Sequence, residues 1–383
     1  MFHYLKHAYT STLFINLTIA AMFWAPQWVL VVTMLAVFYQ VGMDLGTPHE
    51  LSMPDYRMPL ILDALLFLWV PASARCMFAL LWLAAPGDLW GVGGWIDSHV
   101  AGGVLAAKAE AGWFAILSAA VAIGILLSGN MVVGHELVHR TSDRLAMVVG
   151  RWLLGIVGQA QFSISHVYGH HPNVGTPLDC ATARRGENVY WFALRSTIGE
   201  YITAWKLERR RLSGRPALLF RLTNRVTTGL GPTALMVALF YAGAGARGVA
   251  AYAVTVLVST FMYQAVQYIE HYGLIRVAGT PVASRHSWSC TTRGSSHALI
   301  NLTRHSHHHA DARVKFWALT PMEGALELPY GYAGHALMSM VPPLWFGFAH
   351  PRLNRWEEEL ATPQERELAR QDKRFMQVVG DAA

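Results

Sequence analysis

Four histidines fall within five residues of the stretch NLTRHSHHHADARVKF: His305, His307, His308 and His309. Such a run is either a polar surface loop or one wall of a metal site. Three further groups bear on the choice. GHELVHR carries His135 and His139 at i and i+4, so a helix puts both on one face. SHVYGHHPNVGTPLD supplies His166, His170 and His171, and QYIEHYG supplies His271. HExxH alone suits zinc proteolysis with a third ligand elsewhere. This chain offers many more donors than that. Eight or nine convergent imidazoles exceed what one metal takes and suit two ions, and imidazole is a good donor for iron, copper and zinc.

Cys76, Cys180 and Cys290 lie far apart with no CxxC pair. They make neither a four-thiolate iron–sulfur centre nor a disulfide framework. Any electrons the chain uses must come from another protein.

The elements that position these groups are read from composition. The 383 residues are 53% hydrophobic and only 14% charged, where soluble domains run near a quarter charged. Apolar runs at 11–25, 27–43, 59–85, 111–134, 217–242 and 248–270 approach or exceed the roughly 20 residues that cross hydrocarbon. The first two, split by APQW, read as a tight helical hairpin. The third contains Asp63 and Arg75. Shorter runs at 145–158 and 332–348 read as buried or interfacial. The fold class expected is therefore all-α and integral to the membrane, a single domain over 1–383 with about six transmembrane helices.

Charge orients them. Segment 140–225 holds thirteen Lys or Arg, whereas 86–110 and 243–247 hold only Lys108 and Arg247. The positive-inside rule puts the first in the cytoplasm of a bacterial-type inner membrane, with both termini. Catalytic portions at 135–216 and 271–383 then share that side, and all four histidine groups with them. The net charge of +6 follows from topology and anionic lipid, without nucleic acid. MFHYLKHAYT precedes the first run with no small-residue cleavage site after it, which reads as a retained anchor. The tail RLNRWEEELATPQERELARQDKRF reads first as a charged, solvated helix restarted by a TPQE cap, with docking on the cytoplasmic face or on a partner as the alternative.

HELVHR, HVYGHH, EHYG and RHSHHHA, in that order, resemble the integral-membrane di-iron hydroxylases, which include alkane and xylene monooxygenases; fatty-acid desaturases are more distant kin. The resemblance runs from about residue 10 to ATPQERELA. It implies two iron ions held by His135, His139, His166, His170, His171, His271, His305, His308 and His309. His307 falls on a different face of the turn. Ser165 stands where the alkane enzymes usually have Glu, and His307 where they often have Asp. TPLDCATARRGENVYWF leans to the xylene branch, GHH and EHYG to the alkane branch.

The resemblance further implies insertion of one atom of O2 into a terminal C–H bond of a hydrophobic substrate drawn from the bilayer. A medium-chain alkane or alkyl group is expected first, an alkyl-aromatic methyl second and fatty-acyl desaturation third. Electrons would come from a rubredoxin or ferredoxin-type donor with its reductase. Glu136, Glu270 and Asp179 are the candidate catalytic carboxylates, placed to offset charge and orient imidazoles. For each the alternative is an ion pair with one of the many arginines. His286 and His297, beside the third box, are expected to order their loop. Arg140, Arg184, Arg185, Arg209, Arg210 and Arg211 either steer an acidic donor or only set topology.

Overall fold

The computed structural model describes residues 2–216 and 221–371. Helices dominate it; the sheet found among the described residues is a two-residue parallel pair, Trp288–Ser289 with Leu326–Glu327. By contact density the chain divides into two units. The first takes residues 1–39, 56–160 and 227–262, and the second takes 40–55, 161–226 and 263–383.

After a short helix at Phe2–Leu5 and a π-helical turn at Thr10–Phe14 come α1 (Ile15–Trp24) and α2 (Val29–Gly46), separated by a short turn, Pro26–Trp28. In the first unit Thr18 and Thr33 meet at 3.3 Å, fifteen residues apart, so α1 folds back on α2 as APQW suggested. Next come α3 (Pro59–Phe67), α4 (Trp69–Ala84), α5 (Trp113–Leu127), α6 (Gly129–His139) and α7 (Arg144–Ile156). Asp143 caps α7 by accepting from the amides of Leu145 and Ala146. The charges inside the third run are used. Arg140 grips Asp63, and Arg75 donates to Asn16 at 2.9 Å.

Close helix approach in this unit relies on small and hydroxyl residues, as expected where lipid removes the hydrophobic drive between helices. A Cβ at Gly124 would stand 2.7 Å from Val258 and 2.9 Å from the Thr255 carbonyl. Thr255 donates across to Ala120, and Ser259 to Gly124 itself. These last residues belong to α9 (Gly231–His271). Gly245 breaks it with φ 57°, ψ −146°. Phe240 and Tyr252, which a straight helix would hold about 18 Å apart, bring their rings to 5.4 Å. The chain thus reverses at Gly245.

Among the described residues, four helical stretches are long and apolar enough to cross a membrane: Pro26–Gly46, Pro59–Ala84, Trp113–His139 and Arg225–His271. The expected count of about six runs is redistributed. Thr12–Trp24 is apolar but short. The last two runs form one helical stretch doubled back at Gly245. The start of the expected 217–242 run, residues 217–220, lies outside the described residues.

The second unit carries α8 (Val189–Arg211), the end of α9, α10 (His305–Ala310), α11 (Gly331–Ser339) and α12 (Pro342–Arg355). Asn188 caps α8 through the Trp191 amide. Asp44 ties the loop before the third box. Its Oδ1 accepts from Thr292 Oγ1 and the Ser295 amide at 2.6 Å, and its Oδ2 from Ser295 Oγ at 2.6 Å. The tail departs from the expected solvated helix. Glu365 is 1% exposed and binds Arg285 and His286, while Thr362 and Glu365 close the capping box that TPQE announced. The rest of the tail, from residue 372, lies outside the described residues.

Candidate metal centre

Seven of the nine expected ligands sit in the second unit, and their Nε2 atoms form two foci. In one, His171 lies 3.0 Å from His166 and 3.1 Å from His308. In the other, His305 lies 3.0 Å from both His271 and His309, and His309 lies 3.3 Å from His170. All seven are buried or nearly so.

Local structure explains each approach. His166–His170 is a π-helical turn. Its wider winding stacks residues five apart, so His166 faces His171. His305 and His309 are four apart on the α-helical α10 and stack by the ordinary turn. His271 is the last residue of α9.

A neutral imidazole has one N–H and one lone pair. His170 donates Nδ1–H to Asp179 Oδ2 at 2.8 Å, which leaves its Nε2 with a bare lone pair, 3.3 Å from His309 Nε2. Asp179 is itself held by Thr182 Oγ1 at 2.7 Å and the Ala181 amide at 3.0 Å. Glu270 Oε1 stands 3.3 Å from His305 Nδ1. Carboxylate behind imidazole is the arrangement that orients metal-bound histidine. Burial, reinforced by the imidazoles around it, holds His309 well below the ordinary histidine range, so the ring is neutral near pH 7. Lone pairs converging at 3 Å repel one another unless a cation lies between them. His170, His271 and His309 bring ligand atoms within 4.8 Å of one another, as do Glu270, His271 and His305. The donor chemistry fits a buried metal site.

The remaining two ligands belong to the first unit. His135 and His139 lie in the last turns of α6, ring centroids 4.8 Å apart and edge to face. Between them Glu136 turns to Arg140, 2.9 Å from Nη2, so its partner is the arginine of the alternative reading. Of the three candidate carboxylates, Asp179 and Glu270 stand behind imidazoles and Glu136 completes an ion pair.

His307 accepts from the Thr320 amide at 2.8 Å, turned to its own loop. His286 and His297 pair with Glu365 and Glu50 at 2.8 and 2.9 Å.

Sequence reasoning missed Glu200. It is 3% exposed, and its carboxylate accepts from Gln161, Gln264 and Gln267 amides and the Tyr263 hydroxyl, at 2.9 to 3.3 Å. Burial raises its pKa above the usual carboxylate value despite those bonds. A cavity of about 10 Å³, lined by Glu200, His166, His170 and Asp179 among others, has room for one water. The available signal was Ser196, Glu200 and Glu208 recurring every four or eight residues between large apolar side chains. Asp179 also lines a groove of about 460 Å³ together with Arg184 and Arg195.

Comparison with known proteins supplies the family. The fatty acid desaturase family model matches residues 111–342, well over half the chain. The alkane 1-monooxygenase of Pseudomonas putida is 28% identical over 335 residues, covering 84% of this chain and 78% of its own. Alkane 1-monooxygenase 1 of Pseudomonas aeruginosa is 32% identical over 67% of this chain and 68% of its own. The xylene/toluene monooxygenase hydroxylase component XylM of Pseudomonas putida is 32% identical over 63% and 66%. All the histidine boxes lie within the span of the family match. Likeness of this extent over a helical, membrane-length architecture leads to one conclusion: the chain belongs to the fatty acid desaturase family, as a multi-pass membrane oxidoreductase of the monooxygenase type.

Proposed function

We propose that the chain hydroxylates a terminal methyl C–H of a hydrophobic substrate, most simply a medium-chain alkane or alkyl group, at a centre of two irons. The observation that carries this reading is the pair of imidazole foci, too rich in neutral nitrogen for one ion. His166, His171 and His308 would hold one iron, and His170, His271, His305 and His309 the other. His135 and His139 complete the set on the strength of their spacing and their place in the family's order. The two irons would supply activation of O2, which no side chain can do.

The chain's own residues do the rest. Asp179 fixes the tautomer of His170, and Glu270 faces the far side of His305. Burial keeps His309 a neutral donor. The balance is one O2, two electrons, two protons and one R–H, giving R–OH and water. The electrons come from a separate rubredoxin or ferredoxin-type protein. Arg184, which lines the same groove as Asp179, supports an acidic donor approaching there. The orientation proposed is the one charge suggests, with metal site and termini in the cytoplasm of the inner membrane. The domain assignment proposed is one hydroxylase domain.

XylM gives a second reading specific support: its name covers xylene and toluene, and at 32% identity it stands level with alkane enzymes. The methyl group of an alkyl-aromatic is the corresponding substrate. The test is product analysis with ¹⁸O2, purified protein, a reconstituted donor, octane and p-xylene. Labelled 1-octanol supports the first reading and labelled 4-methylbenzyl alcohol the second. An alkene without added oxygen makes the chain a desaturase and overturns both.

A further inference from the structure

Helix α8 is built inside out. Trp191, Leu194, Ile198, Ile202 and Trp205 follow one another at helical spacing on its outer face, between 44% and 58% exposed. The opposite face, Phe192, Ser196, Glu200, Ala204 and Glu208, is buried. Two carboxylates and a serine are therefore inside, and two indoles, a leucine and two isoleucines outside. A helix washed by water is built the other way round.

The inner face shows what its surroundings are. Glu200 and Ser196 bond to Tyr263, Gln264 and Gln267. The Phe192 ring lies 5.5 Å from that of Tyr268. Those partners belong to the Arg225–His271 stretch, long and apolar enough to cross a membrane. A helix packed on the last turns of such a stretch, residues 263–268, has its far side turned to whatever surrounds those turns. The ends agree with a bilayer. Indoles at 191 and 205 bracket the stripe, about 21 Å apart along the axis, and indoles favour the membrane–water boundary. Past Trp205 come Lys206, Arg209 and Arg210, all exposed, with charge complementary to lipid phosphate.

We infer that α8 lies in the membrane interface, its Trp191–Leu194–Ile198–Ile202–Trp205 stripe against acyl chains and Lys206, Arg209 and Arg210 on phospholipid headgroups. The stretch 140–225, assigned by its charge to the cytoplasmic side, then contains a lipid-bound element. Through Glu200 and the C-terminal end of α9, that element braces the depth at which the second-unit histidines sit.

The experiment uses the full chain in nanodiscs of mixed neutral and anionic phospholipid. A nitroxide is placed by Ile198→Cys, with Arg313→Cys, whose side chain is 90% exposed, as the aqueous control. The native cysteines are buried or half-buried, so the unsubstituted chain supplies the background spectrum. The account expects the label at 198 to collide with O2 and escape a water-soluble nickel chelate, and the label at 313 to do the reverse. Nickel access at 198 would mean water on that face. Shielding from both reagents would mean a covering protein, a second copy included. Either result overturns the inference. A label at Trp205→Cys sharpens it: Arg209→Glu with Arg210→Glu should raise its nickel access several-fold, and an unchanged value would remove the headgroup contact.

Discussion

Three of the histidine groups have a carboxylate at hand, and the carboxylates of the first two boxes do different work. In the second unit Asp179, eight residues after the last histidine of its box, hooks back to His170 at 2.8 Å. In the first unit Glu136, between the histidines of HELVH, turns to Arg140 at 2.9 Å. Nearness in sequence therefore misleads here. On a helix, the residue next to an i,i+4 pair is rotated about 100° from the face the pair shares. The π-turn and the TPLD turn, by contrast, bring a distant residue behind the ring.

The largest effect separating the two regions is on metal. Asp179→Asn should weaken metal binding by about 10- to 100-fold, the usual consequence of losing the group behind a ligating histidine. Glu136→Gln should leave it unchanged. Competition against a graded chelator reads both, and equal losses would erase the distinction. Glu136→Gln should instead cost about 1 kcal/mol of stability, because Arg140 keeps Asp63. Thermal unfolding in detergent checks that. A neutral result would show the pair to be worth no more than a surface bridge.

The box motifs made these histidines legible from the sequence, since i,i+4 spacing and apolar runs report local geometry and solvent directly. Asp179 and Glu270 were visible as candidates, while the π-turn that makes His166 face His171 was not. Helix winding at that level depends on packing around Gly169, where a Cβ would stand 2.8 Å from Thr203. Glu200 was missed because its partners come from residues some 40 and 65 positions away. The reversal at Gly245 was visible only as a gap between two runs. Docking of the tail ranked second to solvation in the sequence, because TPQE marks a helix start and says nothing of what Glu365 then touches.

Smaller effects lie in pH dependence. Burial alone would raise Glu365, yet bonds from Arg285, the Thr362 amide and His286 bring it down to about 2. Its folded value lies below the unfolded one, so it stabilises above about pH 4.5 and that contribution fades as pH falls towards 2. Glu365→Gln should flatten this acid limb in unfolding measured from pH 5 to 3. An unchanged limb would mean the tail is not docked through that carboxylate. Glu200 has the opposite sign. With its folded value raised, stability falls as pH climbs above the ordinary carboxylate value. Glu200→Gln should remove that decline while metal content stays constant. A decline that survives the substitution would place the charge elsewhere.

The most direct measurement is metal content of the detergent-purified protein beside a His305→Ala, His309→Ala double variant, each checked for retained helicity. The account predicts about two irons per chain, the count two imidazole foci suit, falling sharply in the variant while the helices persist. Zinc in place of iron, or iron indifferent to His305 and His309, would contradict it and send the mechanism back to the choice of metal.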